Sequence, residues 1–370
     1  MDLLLILISI TVLSNCTYAM IAPFFPIEAE RKGVSIPMIG CIIGIYSVAV
    51  IINSTIVGKV MLYVGRSNIT IIGLLVMGTT MIGFALSYYI EDRTTFIVVT
   101  LFIRFFQGLA SSAIQVSAYS IVTLEYPDKM ATVIGYIEAS IGAGLTLGPL
   151  LGSVMFYFGG YTAPFFAFGL FFYFIVFVGR SKINQLENTS SFRKHTEGID
   201  NNEKHEKFIE DLPKQKRSNE AFKDFVDNDS SVSESDKKDP PEGKDVFSKV
   251  PILKLLTYKQ FVFAMVSGTF GYFIGSFVEP ILALRLKNTY HFRDSIVSLF
   301  FVIHFMGYMV FSPLVQYIPH RFEKRLVMMF GLVLSFITLM FYGPSKMLNL
   351  PEDWHLMLIG IILVGGSIAL

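Results

Sequence analysis

The stretch GYIEASIGAGLTLGPLLG, residues 135–152, decides the fold of this chain. It is apolar enough to lie in a lipid bilayer, yet it carries a glutamate, Glu138. Its glycines recur every four residues, at Gly144, Gly148 and Gly152. On a helix they form one smooth stripe that a second helix can approach closely, and Pro149 favours a kink. We therefore predict a membrane helix that packs tightly on a second helix. Such packing alone would explain the glycines, without any functional role for them.

The composition excludes most soluble classes of protein. Of 370 residues, 53% are hydrophobic and 16% are charged, with a mean hydropathy of +0.57. Soluble proteins carry about 25% charged residues. The net charge of +1 gives no reason to expect a nucleic-acid partner. Cys16 and Cys41 lie in apolar stretches, so we expect neither a disulfide nor a metal site. No nucleophile–base pattern or phosphate-binding loop stands out, and we expect no cofactor and no enzymatic activity.

Ten apolar segments follow one another along the chain. The first nine are each long enough to span about 30 Å of hydrocarbon at about 1.5 Å per residue. A cleaved signal peptide is the alternative for the first segment, although no basic residue precedes it. The stretch PFFPIEAERKG, from Pro23, is expected to end that segment and form the first external loop. The segments cover about residues 3–25, 37–62, 69–90, 95–124, 129–158, 161–179, 258–284, 295–318, 326–342 and 354–370.

A long polar region divides these segments into two groups. It is rich in Lys, Glu, Asp, Asn and Ser, which predicts a disordered, solvated loop. We expect an all-α membrane protein with a six-helix bundle over residues 1–180, this loop over 181–257, and a partial second bundle over 258–370. Lys and Arg flank the loop, so we place the loop and the N-terminus in the cytosol.

Three motifs resemble those of the major facilitator superfamily of secondary transporters. The order G-x-x-x-G-P-x-x-G in the fifth segment resembles its antiporter motif. Arg104-Phe105-Phe106-Gln107-Gly108 resembles its fourth-helix motif, R-x-x-Q-G. The third resemblance is to the loop between helices two and three, with the pattern G-x-x-x-D-R/K-x-G-R-R/K. Its matching residues are Gly58, Gly65 and Arg66, whereas Leu62 replaces the expected acid and the usual charge latch between helices is not expected.

The resemblance implies two six-helix bundles related by an axis along the membrane normal. Only ten apolar segments are present, so helices eleven and twelve of that layout are absent from the printed sequence. We therefore expect the second bundle to be incomplete and the sequence to be a fragment or a truncated gene product; the alternative is that the protein departs from the family layout.

Longer stretches resemble the vesicular amine transporters, particularly the polyamine type. They are PFFPIEAERKGVS, ATVIGYIEASIGAGLTLGPLLG and FVEPILAL. The resemblance implies exchange of luminal protons for cytosolic amines, with Glu279 as the acid of helix seven and Arg104 as the arginine of helix four. Ser14 and Asn15 stand where the monoamine branch carries an acid, so monoamine transport is not expected.

Ionisable residues inside membrane segments are expensive and mark functional sites. Arg104 and Glu138 each lie about 13 Å into their segments from opposite faces, which predicts an ion pair near the midplane, structural or functional. Glu279 has no obvious partner along the chain. Facing a cavity, it could hold a proton or a cation, one at a time; a solvated carboxylate at the interface is the alternative.

His304 could relay protons or hydrogen-bond between helices. Several tyrosines could form aromatic walls for a cation. They are Tyr46, Tyr119, Tyr136, Tyr272 and Tyr308.

These observations predict a monomeric, proton-coupled antiporter that exports organic cations into an acidic compartment. Its partners would be a small cationic substrate, protons and the lipid bilayer, in a vesicular, vacuolar or other endomembrane. Two alternatives remain open. One is an exporter of a different small molecule, and the other is a transport-inactive membrane receptor or scaffold.

Overall fold

The computed structural model describes residues 2–184, 262–263, 265–266, 279–315, 324–342 and 353–369. Within these residues the regular structure is entirely helical, which confirms the predicted all-α class. The described part of α7 covers residues 279–288. The other α-helices are α1 (Asp2–Arg31), α2 (Ile36–Val64), α3 (Arg66–Ser87), α4 (Arg93–Glu125), α5 (Met130–Gly159), α6 (Thr162–Asn184), α8 (Asp294–Val315), α9 (Lys324–Tyr342) and α10 (Trp354–Ala369).

Seven of the described helices, α1 to α6 and α8, are long and apolar enough to cross a membrane. The described parts of α9 and α10 are apolar but shorter. The predicted polar loop, 181–257, begins inside α6, because this helix continues to Asn184. Residues 185–257 lie outside the described residues.

The first helix is longer than predicted. Pro23 and Pro26 lie inside α1 instead of ending it, and the helix continues to Arg31. Membrane helices tolerate prolines where neighbouring helices and local adjustments satisfy the freed backbone groups. The end of the helix is fixed by Gly33, whose φ is 76°, and by the hydrogen bond from Val34 N–H to the carbonyl of Ala29. The prediction that PFFPIEAERKG forms a loop is therefore wrong for most of its length.

Two short connections have clear local causes. Gly65 ends α2 and precedes α3 with φ at 88°, a backbone conformation that favours glycine. Asp92 begins α4 by accepting a hydrogen bond from the Thr95 amide at 2.7 Å. The hydrogen bonds from the Thr95 side chain and amide hold the pKa of the Asp92 carboxyl below its usual value.

The helices pack in pairs within an N-terminal bundle, α1 to α6. There α1 packs on α5, α2 on α4, and α3 on both α4 and α6. Among the C-terminal helices, α7 to α10, α8 and α9 both pack on α10. Two seams join the groups: α8 packs on α5, and Ala19 and Ala22 of α1 share a core with apolar residues of α7, α8 and α10. The candidate site lies along these seams.

Candidate functional site

A cluster of polar and aromatic side chains joins α1, α2, α4 and α7. We call it the central cluster and define it as Tyr18, Tyr46, Arg104, Gln107 and Glu279. Arg104, Gln107 and Glu279 are almost completely removed from solvent, and Arg104 is 0% exposed. Two predicted site residues, Arg104 and Glu279, thus belong to the same buried cluster, where Tyr18 contacts both of them.

The R-x-x-Q-G motif explains how α4 builds its side of the cluster. At Gly108 the backbone carbonyl of Tyr46 approaches so closely that an added Cβ would collide with it and would lie 2.8 Å from Cβ of Ala49. The glycine thus lets α2 pack directly on α4. Tyr46 is further fixed by the hydrogen bond from its hydroxyl to Oγ of Ser111 at 2.7 Å. Its ring then lies beside Arg104, one turn earlier on α4.

Arg104 is held by one amide and three aromatic rings. Its Nη1 donates to Oε1 of Gln107 at 2.9 Å. Its guanidinium carbon lies 5.6 Å from the ring centre of Tyr18, 5.4 Å from that of Tyr46 and 5.9 Å from that of Phe84. Cation–π contacts contribute about 2 kcal/mol or more when desolvated. Nε and Nη2 have no hydrogen-bond partner among the described residues.

Glu279 lies at the first described residue of α7 and is 3% exposed. This burial excludes the alternative of a solvated carboxylate at the membrane interface. Oε1 accepts a hydrogen bond from the Tyr18 hydroxyl at 3.0 Å, whereas Oε2 has no partner among the described residues. The positive charge of Arg104 also acts on Glu279. The sequence offered no obvious partner for Glu279 nearby along the chain, and the structure supplies Tyr18, which is 261 positions away.

The predicted ion pair between Arg104 and Glu138 is absent from this structure. Glu138 instead accepts hydrogen bonds from the hydroxyls of Tyr119, at 2.5 Å, and Tyr308, at 3.0 Å. Tyr119 is fifteen residues after Arg104 on α4, about 22 Å along the helix axis. The two charges therefore lie at different depths.

The error came from the assumed length of α4. The prediction took the fourth segment as one membrane thickness of about 30 Å. The helix has 33 residues and is about 50 Å long. Measured from the end of α4 that precedes α5, Arg104 is therefore much farther away than the prediction assumed.

The glycine stripe of α5 makes the predicted close contact, and its partner is α1. A Cβ at Gly144 or Gly148 would collide with the carbonyl oxygen of Val12 or Cys16, respectively. At Gly152 it would lie 2.6 Å from Cγ of Met20. Pro149 lies inside α5, which continues to Gly159.

Only part of the motif between helices two and three lies in the turn that joins α2 and α3. Gly65 forms the turn itself, and Nε of Arg66 donates to Oγ of Ser120 on α4 at 2.9 Å. Gly58 lies within α2 with open space around it, so its position does not require a glycine on steric grounds. The side chain of Leu62 lies outside what the structure describes.

The remaining predicted residues take different positions. His304 is buried in α8, and its ring stacks edge-on with Phe305 at 4.9 Å between centres. Tyr136 is 51% exposed and does not line the central cluster, whereas Tyr272 lies outside the described residues. Asn15 donates to the carbonyl of Thr11 on its own helix at 2.9 Å. Tyr18 of α1 is the link between the two charges, since its hydroxyl contacts Glu279 and its ring contacts Arg104.

A cavity of about 580 Å³ lies beside the C-terminal part of α1. Its lining includes Glu28, Arg31, Lys287 and Asp294. These charges are paired: Arg31 contacts Glu28 at 2.7 Å and Lys287 contacts Asp294 at 2.5 Å. Beside them, Asn288 of α7 donates to both oxygens of Glu30 on α1, at 2.9 and 3.0 Å.

No three His, Cys, Asp or Glu side chains come together as a metal site in the part of the chain that the structure describes. The arrangement is instead that of a helical membrane protein with buried charges at the seam between two groups of helices. This class includes carriers that bind solutes between two bundles.

The chain belongs to the Major Facilitator Superfamily, whose profile matches residues 7–282. It is therefore an integral, multi-pass membrane protein, and membership of this family supports the prediction that it is not an enzyme. The mouse protein named MFS-type transporter SLC18B1 is 25% identical over 353 residues, or 95% of this chain. The human protein of the same name is 24% identical over 357 residues, or 96% of this chain. The chain spans 65% of the mouse relative and 66% of the human relative.

Solved structures of the same fold include a D-xylose–proton symporter. Its TM-score is 0.61 at 11% identity, with 98% of this chain and 79% of that chain covered. The xylose transporter XylE from E. coli, in a partially occluded inward open conformation, gives a TM-score of 0.62 at 12% identity, covering 98% and 83%. At this identity the likeness shows the fold alone, and it confirms the predicted facilitator architecture.

Proposed function

We propose that this chain forms the transport core of a proton-coupled antiporter for organic cations, with amines as the substrate class. The carrying observation is the central cluster, where a tyrosine of α1 contacts both a buried carboxylate of α7 and a buried arginine of α4. The relatives named as transporters support a transport role. The rest of the proposal follows from the chemistry of this cluster.

Glu279 is the residue that binds the proton or the substrate. Its Oε2 has no partner among the described residues, and the rings of Tyr18 and Tyr46 line the same cluster. A carboxylate next to aromatic faces suits an ammonium group. A proton and an ammonium neutralise the same negative charge, so the binding of one opposes the binding of the other. This competition is the physical basis for exchange.

Arg104 balances the charge of ionised Glu279 while no ligand is bound. A buried charge without an opposite charge is strongly disfavoured, so each of these residues makes the other tolerable inside the membrane. When a proton or an amine neutralises Glu279, Arg104 loses that partner. The change of charge then favours a different arrangement of α4 and α7, which couples binding to the alternation between the two sides.

The glycine stripe with Pro149 keeps α1 and α5 in close contact, and Gly65 and Arg66 fix the turn between α2 and α3. We assign Gly144, Gly148 and Gly152 to the first of these supporting motifs, whereas Gly58 has open space around it and contributes to neither. In the architecture that we propose, residues 1–180 and the end of α6, to Asn184, belong to one bundle, 258–370 form part of the second, and the remainder of 181–257 forms a cytosolic loop. The protein acts as a monomer in a vesicular, vacuolar or other endomembrane whose lumen is acidic.

A second candidate function is the transport of an organic anion. The observation that favours it is the pair of donors on Arg104, Nε and Nη2, which have no hydrogen-bond partner among the described residues. Two adjacent guanidinium N–H groups suit a carboxylate or phosphate. The nearby negative charge of Glu279 opposes such a ligand, and we therefore rank the amine first.

Uptake into proteoliposomes tests the proposal. The purified protein is reconstituted together with any residues that follow Leu370 in its gene. Radiolabelled spermidine is then added outside the vesicles, with and without a proton gradient that makes the vesicle interior acidic. We expect uptake that requires the gradient, is blocked by unlabelled amines and is insensitive to an organic anion. Glu279→Gln should lower uptake at least about tenfold, since it removes the charge shared by proton and amine.

The matched control is Glu91→Gln, the same chemical change at an exposed position between α3 and α4. Its uptake should equal that of the parent protein. Gradient-independent spermidine uptake, or full activity of Glu279→Gln, would contradict the proposal. Gradient-driven uptake of the organic anion instead would favour the second candidate.

A further inference from the structure

Glu138 forms a second carboxylate–tyrosine site on the other seam of the molecule. It belongs to α5 and accepts hydrogen bonds from Tyr119 of α4, at 2.5 Å, and Tyr308 of α8, at 3.0 Å. In the central cluster a carboxylate of the C-terminal helices accepts from a tyrosine of the N-terminal bundle. Here the direction is reversed. Each carboxylate is thus bonded to a tyrosine of the opposite group.

The Tyr308 bond lies where α5 and α8 make backbone contact. Gly142 follows Glu138 by one helical turn and faces the residue after Tyr308. A Cβ at Gly142 would lie 2.6 Å from Cα of Met309. The seam is therefore closed by a close backbone approach and by one hydrogen bond at the same level. Separating α5 from α8 requires breaking that bond.

The charge of Glu138 is not balanced by these contacts. Both of its described partners are neutral phenols, and no ion pair of Glu138 occurs among the described residues. Phenols satisfy the hydrogen-bonding capacity of a carboxylate but do not neutralise it. An ammonium group makes charge-assisted hydrogen bonds, which are roughly twice as strong as neutral ones. Tyrosine rings also attract cations through the negative face of the ring.

We propose that Glu138, Tyr119 and Tyr308 form a second binding site for ammonium groups, distinct from the central cluster. An ammonium bound to Glu138 competes with the Tyr308 hydroxyl and so weakens the bond that holds α8 on α5. Binding of the substrate therefore favours separation of α5 and α8 at this seam. The choice of an amine as ligand rests on the proposed function, whereas the location of the site rests on the contacts of Glu138.

The two sites are separate in space. Tyr119 and Arg104 lie fifteen residues apart on α4, about 22 Å along its axis. An ammonium bound to Glu138 therefore does not touch Glu279. This separation allows each site to be tested while the other is disabled.

Thiol labelling at the seam tests the proposal. Met309→Cys is introduced after Cys16 and Cys41 are changed to alanine. The rate at which this cysteine reacts with a membrane-impermeant maleimide is followed in membrane fragments, in which both faces are accessible to the reagent. Spermidine is the probe, and 1,8-octanediol is its uncharged counterpart. We expect spermidine, but not the diol, to raise the labelling rate severalfold. Tyr308→Phe should raise the rate without spermidine, whereas Tyr157→Phe, at an exposed position on α5, should not.

The response to spermidine should disappear in Glu138→Gln and persist in Glu279→Gln. A response that survives Glu138→Gln, an equal effect of the diol, or an unchanged rate in Tyr308→Phe would each overturn the proposal. If Glu138→Gln does not fold, Glu138→Asp replaces it. Aspartate keeps the negative charge, but its shorter side chain moves the carboxylate away from the two tyrosine hydroxyls. An unchanged spermidine concentration for half-maximal labelling response would then overturn the proposal.

These outcomes are independent of the proposed function. Loss of uptake in Glu279→Gln without any response at Glu138 would leave the antiporter standing and remove only the second site. If spermidine raises labelling through Glu138 but uptake is not driven by the gradient, the second site stands and the proposed antiporter function falls.

Discussion

The hydroxyl of Tyr18 lies 3.0 Å from Oε1 of Glu279, although the two residues are 261 positions apart in the sequence. The ring of the same tyrosine lies 5.6 Å from the guanidinium carbon of Arg104. Tyr18 thus contacts a negative and a positive charge with different parts of one side chain. Its hydroxyl also joins α1 to α7.

Tyr18→Phe separates these two contributions, since phenylalanine keeps the ring and removes the hydroxyl. Oε1 of Glu279 then loses its described donor in a buried place, which costs about 1–3 kcal/mol. We expect a lower midpoint of thermal unfolding in detergent. Tyr157→Phe removes an exposed hydroxyl and should leave the midpoint unchanged. Equal midpoints for the parent and Tyr18→Phe would mean that Glu279 does not depend on this bond.

The mutual dependence of Arg104 and Glu279 predicts a non-additive double mutant. Arg104→Gln and Glu279→Gln each remove one of two opposite charges buried in the same cluster, and a buried charge without an opposite charge nearby is strongly disfavoured. The double variant leaves neither charge. We expect it to be more stable than the sum of the two losses predicts, by about 0.5–3 kcal/mol. Thermal unfolding of the four proteins measures this difference, and strictly additive losses would refute the coupling.

The sequence was sufficient to predict most of the helices and the existence of one close helix–helix contact. The predicted segments 95–124 and 129–158 agree closely with Arg93–Glu125 and Met130–Gly159 because long apolar runs between polar residues are unambiguous in a membrane protein. The four-residue glycine period also predicted a tight contact correctly. That α1 is the partner could not be read from it, since a smooth stripe accepts any helix.

The partners of the buried charges were beyond the sequence. Tyr18 and Tyr308 are 261 and 170 residues from the glutamates that they bind, and tyrosine is too common in this chain to single them out. The pairing of Arg104 with Glu138 failed because hydropathy gives no measure of how far a helix extends beyond the bilayer. The end of α1 was missed because proline usually ends helices in water, whereas packed membrane helices tolerate it.

Gly148→Ala should disturb the contact between α1 and α5. The new Cβ would collide with the carbonyl oxygen of Cys16, which belongs to a helix backbone and cannot move alone. Overpacking of this kind costs about 1–3 kcal/mol. Gly44→Ala is the matched control, because nothing lies within 4 Å of the added atom on α2. We expect Gly148→Ala alone to lower the melting temperature in detergent; equal values for both variants would contradict the tight contact.

Asp92 predicts a local effect on α4 that needs no transport assay. Its carboxylate accepts a hydrogen bond from the Thr95 amide at 2.7 Å and so caps the first turn. Asn is about as good a cap as Asp, whereas Ala has no acceptor. At pH 7, Asp92→Ala should therefore be less stable than the parent, and Asp92→Asn should be close to it. Thermal unfolding of the three proteins provides the measurement.

The pH dependence of that difference follows from the direction of the pKa shift. Hydrogen bonds from Thr95 lower the pKa of Asp92 in the folded protein, whereas the unfolded value is about 3.9. The charged cap therefore contributes its full stabilisation above the unfolded pKa and loses it as the pH falls through the lower, folded pKa. The stability gap between the parent and Asp92→Ala should be constant from pH 7 to 5 and narrow below about pH 4. A gap that stays constant in acid would show that the charge of Asp92 contributes nothing to the cap.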